Sequence, residues 1–413
     1  MIKPISISLS PNVERDDVWL ALKMRFQPWR WFRGKEIKLL EEEFKKYVGI
    51  GHALSFNSGR SALLAILQSL GLERGDEVLL QAFTCNAAPN PVIWAGLKPV
   101  YVDCREDDFN IDPLDLEKKI GPRSRVVIVQ HTFGMPANME KIIEICNRHN
   151  LILIEDCAHA LGAKYKGKLV GTLGKASFFS FSRDKVISSV YGGMAATNDQ
   201  ELAMRIAQFQ NKIGYPSLFW IAQQIRHPIL MYSIVLPTYR LFGKYLLILF
   251  QWLCIVSKAV HWKEKRGGMP GYFPKRMPNA LAVLALCQLQ KLERFNSHRK
   301  QLADFYYENL RGTAFGLPEK FAERENIFLR FSVKHPQAHE IIKNAWAKNL
   351  LIGDWYTTPI APHDTKLDAI GYELGSCPVA EKLANSTLNL PTHINCSKLD
   401  AQKVIEFLKH YGD

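Results

Sequence analysis

A lysine, a carboxylate and a small-residue turn are spaced along the middle of this chain so that together they could run amine–carbonyl chemistry. Ser177 to Gly193 reads SFFSFSRDKVISSVYGG, an apolar, hydroxyl-rich strand followed by Lys185 and then a glycine pair. A lysine among small and apolar neighbours is desolvated, its pKa falls, and the neutral amine can attack an aldehyde. Asp156, in LILIEDCAHA, stands at the carboxyl end of an expected buried strand, where open α/β sheets place ligand contacts. A carboxylate there could keep a pyridine nitrogen protonated and so make the ring an electron sink. Phe56 to Ala62, FNSGRSA, reads as strand end, turn and helix start. Ser58, Gly59 and Arg60 would offer a phosphate free N–H groups and the positive end of a helix dipole. Taken singly, each has a plain alternative: a surface lysine, a helix N-cap carboxylate, an ordinary capped helix start.

The elements that must position these groups follow from hydrophobic period. From about residue 50 to 200, β-rich apolar runs alternate with helical patterns, as a largely parallel sheet with crossover helices requires. HALSF, EVLLQ, PVYVD, RVVIVQ and LILIED read as strands; SALLAILQSL, NPVIWAG, PLDLEKKI and NMEKIIEICNRH read as the helices between them. After Thr197 a polar helix, Asp199 to Lys212, leads into a long hydrophobic segment. Helical periodicity resumes at NALAVLALCQLQKLERF and continues through HRKQLADFYYENL. IFLRFSV and LLIGDWY are strand candidates of a small C-terminal domain that closes with the helix DAQKVIEFLKHY. At 413 residues, 47% of them hydrophobic, the chain is long enough for a large α/β domain and a smaller partner. The expected division is an N-terminal basic-aromatic segment (1–33), a large domain (34–213 and 276–295), a hydrophobic basic insertion (214–275) and a small C-terminal domain (296–413).

In order and spacing these pieces resemble the DegT/DnrJ/EryC1/StrS family of aminotransferases that use pyridoxal 5′-phosphate and are best known for aminating nucleotide-linked keto-sugars. The resemblance covers roughly residues 34–212 and 268–410. It rests on GDEVLLQAFTCNAAPNPVIWAGLKPVYVD from Gly75, QHTFGMPANM from Gln130, IEDCAHALGAKYKGKLVGTLG from Ile154, FSFSRDK ending at Lys185, and NLPTH from Asn389. It implies the aspartate-aminotransferase-like fold, type I of the pyridoxal-phosphate transferases, assembled as a homodimer with sites at a two-fold interface. By the same resemblance Lys185 would hold the cofactor as a Schiff base and shuttle protons, and Asp156 would pair with the ring nitrogen. His159 would lie against the ring or its phenolic oxygen, and Ser180, Gly59 and Arg60 would hold the phosphate. Lysine at the cofactor position, where the family's dehydratase branch has histidine, implies amino transfer from a donor such as glutamate to a keto acceptor.

The chain also departs from the family pattern. Arg60 stands where a threonine is common, and a guanidinium can bind phosphate bidentately. Cys85 replaces an aromatic residue that stacks on the ring, so stacking must come from elsewhere, His159 being the candidate. The glycine-aromatic-asparagine motif by which a second subunit reaches the phosphate is replaced by YFPKRM, Tyr272 to Met277. Lys275 or Arg276 could substitute electrostatically there. Arg330, in IFLRFSV, is a candidate anchor for a substrate carboxylate or phosphate, or else an exposed strand residue.

The net charge of +13 is not evenly spread: between Gly214 and Arg276 nine basic residues face one acid, Glu264. They interleave with the apolar runs HPILMYSIVLPTYRLF and KYLLILFQWLCIVSKAVHW, a pattern unlike the solvated groove of a nucleic-acid binder. Tyr245 to Ser257 is uncharged but short of the about 20 residues a spanning helix needs. A helical hairpin at one leaflet is therefore expected, with peripheral membrane contact through residues 216–262, the alternative being packing on the protein or its dimer mate. Such contact would suit a lipid-linked keto substrate. WLALKMRFQPWRWFRG, near the N-terminus, could extend that surface or strap the neighbouring domain. The first fifteen residues lack the apolar run of a secretory signal, so the catalytic part is expected in the cytoplasm, on the inner face of the membrane. Eight scattered cysteines point to neither disulfides nor a metal site. Two other functions fit the residues: a condensing synthase joining an amino acid to an acyl thioester on the same cofactor, and a catalytically idle membrane-associated scaffold.

Overall fold

A computed structural model describes residues 3–412. Its centre is a seven-stranded sheet of β1 (His52–Phe56), β2 (Glu77–Gln81), β3 (Lys98–Val102), β4 (Ser124–Gln130), β5 (Ile152–Asp156), β6 (Ala176–Ser180) and β7 (Gly193–Thr197). Across the sheet the order is β1-β7-β6-β5-β4-β2-β3. β7 runs antiparallel to both its neighbours, and the other four pairings are parallel. The expected α/β architecture with a mostly parallel sheet is the one observed. β7 was not foreseen, because GMAAT has neither β-branched residues before its last position nor alternation to mark it.

The helices that matter to the site are α1 (Arg15–Arg25), α2 (Lys35–Val48), α3 (Gly59–Ser69), α4 (Leu218–Leu230), α5 (Lys244–Trp252), α6 (Asn279–Gln290) and α7 (Leu292–Leu310). α2 stops at Gly49, whose φ of 75° is left-handed backbone that suits glycine. Side chains alternate across the sheet and feed two cores. Val127, Val129, Leu153 and Phe179 face α2, α4 and α6, while Val126, Ile128, Ile154 and Phe178 face α3 and the C-terminal segment. Phe44 of α2 seats the first layer, edge-on to Phe179 at 4.8 Å and near Phe181.

A third core, with Leu302, Tyr306, Phe331, Val333, Leu388 and Ile405, belongs to the C-terminal part, built on β8 (Phe331–Lys334) and β9 (Thr387–Leu390). α7 crosses the boundary drawn at 295/296: its Leu292 lies in the first core and its Leu302 and Tyr306 in the third. IFLRFSV is strand only from Phe331, because Ile327 and Leu329 turn into the large core and Phe328 takes a φ of 51°. LLIGDWY contributes only Leu350–Leu351, paired in parallel with Ile5–Ser6. The N-terminal segment is thus tied into both parts, with Ile5 in the third core and Ala21, Met24 and Trp31 in the first.

The hydrophobic segment divides in two. α4 is core, with Trp220, Ile221, Ala222 and Ile225 buried in the first cluster, so the protein-packing alternative holds for this half. α5 buries no residue at all. Among the described residues no single helix is long and apolar enough to cross a membrane.

Phe44→Ala removes the ring that joins α2 to β6 and leaves a cavity beside the strand bearing Ser180. It should cost about 3–5 kcal/mol, read as a lowered denaturation midpoint in urea.

Candidate active site

β1, β5 and β6 all end at one edge of the sheet, and the chain leaving each end carries one part of the site. After β1, Ser58 caps α3 by accepting from Ser61 N at 3.0 Å, which commits its hydroxyl to the helix. The Gly59 and Arg60 amides are the first of α3 and have no acceptor within it. A Cβ on Gly193 would lie 2.4 Å from Gly59 N, and one on Gly59 would lie 3.1 Å from Ser180 Cβ. Only glycines let β7, α3 and Ser180 converge this closely.

A cavity of about 190 Å³ opens here, and its walls include Gly59, Arg60, Asp156, His159, Ser180 and Lys185. Ser58, Lys275, Arg276 and Arg330 are not on its walls. Ser58 is absent because its side chain serves as the cap. Lys275 is tied by its backbone to Asn57, and Arg276 lies over the Tyr215 ring at 5.3 Å.

Arg60 does not present a free guanidinium. It forms an ion pair with Glu264 that is almost wholly buried, sits 5.1 Å over the Phe273 ring, and reaches the Ala259 carbonyl at 3.3 Å. A buried guanidinium requires a counter-charge, and this chain supplies it itself. Glu264 is the lone acid of the basic stretch, which is the sequence signal that could have marked it. The same return segment is fixed by Arg183, which donates to Ser257 O and Oγ at 3.0 Å, and by Tyr191 Oη on the Lys258 carbonyl at 2.7 Å. Ala259 and Val260 thereby close one wall of the cavity.

Lys185 Nζ lies 2.9 Å from His159 Nε2 and 4.5 Å from the Trp355 ring centre. Burial lowers the lysine pKa, with the charges of Asp184, Cys85 and Asp156 opposing the shift. Burial also holds His159 well below its ordinary value, so the ring is neutral. The Phe133 N–H donates to His159 Nδ1 at 3.3 Å, which puts the ring's proton on Nε2. Nε2–H then faces Lys185 Nζ, a contact that favours the free amine as its acceptor. His159 stacks with Trp355 at 5.3 Å and with Phe133 at 6.1 Å. Trp355 and His159 thus form one aromatic surface on the wall of the cavity that Cys85 also lines. It comes from LLIGDWY and reaches the site because Ile360–Ala361 pairs with Thr84–Cys85.

Asp156 is buried, and burial raises its carboxyl to about 6 against the pull of the Ala158 N–H, Lys185 and His131. Next to it Glu155 accepts from Gly171, Leu173 and Gly174 amides and pairs with His131, locking the strand end. The backbone around Lys185 is held from outside the motif. Asn12 Nδ2 donates to the carbonyls of Lys185 (2.7 Å) and Val186 (3.1 Å), and Arg299 donates to Val186 O and Asn12 Oδ1. Nothing in the sequence marked Asn12 or Arg299.

Arg330 is not an exposed strand residue. It is 2% exposed, its guanidinium lies 3.3 Å over the Trp355 ring and 3.6 Å from Asp184, and none of its side-chain nitrogens has a hydrogen-bond partner. Burial lowers its pKa to about 10, which leaves it charged at neutral pH.

Comparison with known proteins agrees along the chain. The profile of the DegT/DnrJ/EryC1/StrS aminotransferase family matches residues 20–217 and 250–409, so the unmatched stretch is narrower than the insertion expected at 214–275. The spore coat polysaccharide biosynthesis protein SpsC of Bacillus subtilis is 37% identical over 392 residues, 91% of this chain and 90% of that protein. GDP-perosamine synthase of Caulobacter vibrioides is 27% identical over 402 residues, covering 97% and 96%. Among solved structures, Streptomyces venezuelae DesV superposes with a TM-score of 0.73 at 26% identity, covering 97% of this chain and 98% of that one. Helicobacter pylori PseC has the same fold, with a TM-score of 0.77 at 21% identity and 99% of both chains covered.

The sheet, its smaller C-terminal companion and the lysine-bearing cavity define a type I pyridoxal-phosphate transferase fold. Within that class the chain belongs to the DegT/DnrJ/EryC1/StrS aminotransferase family and is a pyridoxal-phosphate-dependent aminotransferase. The residues present fit the cofactor: free helix amides and Ser180 for the phosphate, Asp156 for the ring nitrogen, and the Lys185 amine for the aldehyde.

Because Asp156 is neutral below about pH 6 and charged above it, cofactor affinity should fall as pH drops through 6 and be nearly flat above 7. Equilibrium titration of the cofactor-free protein checks this, and Asp156→Asn should bind weakly with no step near 6. Glu264→Gln strands the Arg60 charge in the interior and should destabilise the chain by about 3–5 kcal/mol, measured by denaturant unfolding.

Proposed function

We propose that this aminotransferase moves an amino group from glutamate to a keto-sugar, with Lys185 as the catalytic residue. The observation that carries the reading is Lys185 Nζ, its pKa lowered by burial, 2.9 Å from His159 Nε2 in the same cavity as Asp156. A sugar acceptor is favoured by the relatives, whose names place them in perosamine and spore coat polysaccharide synthesis.

Pyridoxal phosphate supplies, when bound, an aldehyde for the amine and a ring that withdraws electrons from the reacting carbon. Lys185 would take the proton from the donor's α-carbon as a base and later give one back as an acid. Asp156, buried at its strand end, would hold the ring nitrogen's proton through an ion pair. His159 holds the lysine lone pair in line and, as a neutral donor, can hand its Nε2–H contact to an oxygen. Gly59, Arg60 and Ser180 orient the phosphate through helix amides, the Arg60 amide among them, and a hydroxyl. Arg330 is the candidate anchor for the donor's carboxylate: it lies behind the cavity-wall residues Trp355 and Asp184, its side-chain nitrogens have no hydrogen-bond partner, and a shift of Trp355 would bring it to the cavity.

The test is the first half-reaction. Cofactor-loaded protein mixed with L-glutamate should lose the visible band of the lysine-bound cofactor and release 2-oxoglutarate, in equal amount to active sites. Lys185→Ala should bind cofactor without that band and release none. Arg330→Met should raise the KM for glutamate by roughly tenfold or more while the loaded protein keeps its spectrum. Release of no keto acid from glutamate, with turnover only when an acyl thioester is added, would replace this reading with a condensing synthase.

A further inference from the structure

The helical arm ending in α5 lies largely in residues 218–249, between the two stretches that match the family, so the chemistry of the family does not account for it. It leaves the core through α4. Pro228 lacks a backbone N–H, and the helix widens to five-residue turns, with Leu236 N donating to Met231 O at 2.9 Å. The chain then bends by 110° between Val235 and Tyr239. Gly243 fits the elbow, since a Cβ there would lie 2.2 Å from the Val235 carbonyl.

Beyond the elbow the arm is apolar and uncovered. Trp252 is 76% exposed, Tyr245 70% and Leu241 62%, and Phe242, Ile248 and Leu249 are exposed beside them. An aliphatic and aromatic helix without one buried residue calls for a covering phase. Charge identifies that phase. From Leu202 to Lys263 the sequence contains no acid, while Arg240, Lys244 and Lys258 stand along the arm and its return. Arg240 and Lys244, joined by Lys348 of the C-terminal part, line a cavity of about 740 Å³ at the arm's base together with Tyr239, Tyr245 and Trp346. None of these three cations has an ion-pair partner among the described residues. A two-fold contact between copies through the arm would bring together two basic surfaces with no acid of the arm to pair Arg240, Lys244 or Lys258. An anionic bilayer is complementary on both counts: acyl boundary for the aliphatic side chains, headgroup depth for the aromatics, and phosphates for the cations.

We propose that the arm docks this protein on an anionic lipid surface, with its apolar residues at the acyl boundary and Arg240, Lys244 and Lys348 on lipid phosphates in the cavity beneath. Asp354 lies on the wall of both this cavity and the Lys185 cavity, so docking sets the catalytic site beside the headgroups. The inference stands whichever keto compound is the acceptor.

The experiment is flotation of the cofactor-loaded full chain with phosphatidylcholine vesicles, alone or with phosphatidylglycerol added. The protein should float with the anionic vesicles only, and high salt should release it. Ile248→Glu with Trp252→Glu, and separately Arg240→Gln with Lys244→Gln, should each weaken partitioning roughly tenfold or more. All these positions are exposed, and an unchanged thermal midpoint and cofactor spectrum would show the variants folded. Competition by inorganic pyrophosphate that empties the vesicles' hold without any dependence on lipid charge would make the cavity a site for soluble phosphates and overturn the proposal. It is overturned equally if the wild type stays at the bottom with both vesicles. The same holds if the arm substitutions split an oligomer in sedimentation velocity and leave flotation unchanged, which would make a second copy the occupant.

Discussion

One backbone amide orients the ring that meets the Lys185 amine. The Phe133 N–H on His159 Nδ1 decides where a neutral imidazole carries its proton, and so decides that Lys185 is met by a donor. The amide faces the ring because the turn after β4 is unusual: Phe133 has a φ of 55° and Gly134 one of 98°. That turn is held by His131, which accepts from Ala137 N and pairs with the buried Glu155. Glu155 is in turn saturated by backbone donors after β5. A charged residue with no contact to the cavity thus fixes the tautomer of a ring two steps away, and Asp156, its neighbour in sequence, points to the opposite face of the strand.

Desolvation is what shifts both Lys185 and Asp156 toward their neutral forms, so exclusion of water matters as much as placement. Much of that exclusion comes from the segment after α5. Ser257, Lys258, Ala259 and Glu264 are pinned by Arg183, Tyr191 and Arg60, three side chains from separate parts of the sheet edge. Arg60 therefore contributes its amide at the helix start and a guanidinium that clamps a wall.

The sequence announces the sheet because buried parallel strands are apolar runs, as in EVLLQ, RVVIVQ and ILIED. β7 is small and antiparallel, and its reason is steric: glycine and alanine let α3 approach. The same logic applies at the site. Lys185, Asp156, Gly59 and Ser180 sit beside strand ends, where pattern and position coincide. Asn12, Arg299, Trp355 and Glu264 act from segments more than 70 residues away in sequence, through contacts that exist only once three cores have packed. Arg330 shows the limit most plainly: its strand pattern was read correctly at Phe331 and wrongly at Ile327, so its burial could not be foreseen.

The apolar segment between Tyr215 and Trp262 could not be divided by composition, since α4 and α5 are both rich in aliphatic and aromatic residues. What separates them is polar. α4 carries Gln223 and Gln224, and both are buried against the returning chain: Gln223 Nε2 donates to Cys254 O at 2.6 Å, and Ser257 Oγ donates to Gln224 Oε1 at 2.7 Å. These bonds close the base of the excursion, so that the exposed arm projects from two fixed points, and loop-closure entropy grows only slowly with its length. The arm can therefore be long without loosening the wall that follows it. A buried glutamine pair within a hydrophobic helix is the feature that joins an exposed apolar excursion to the wall of the Lys185 cavity.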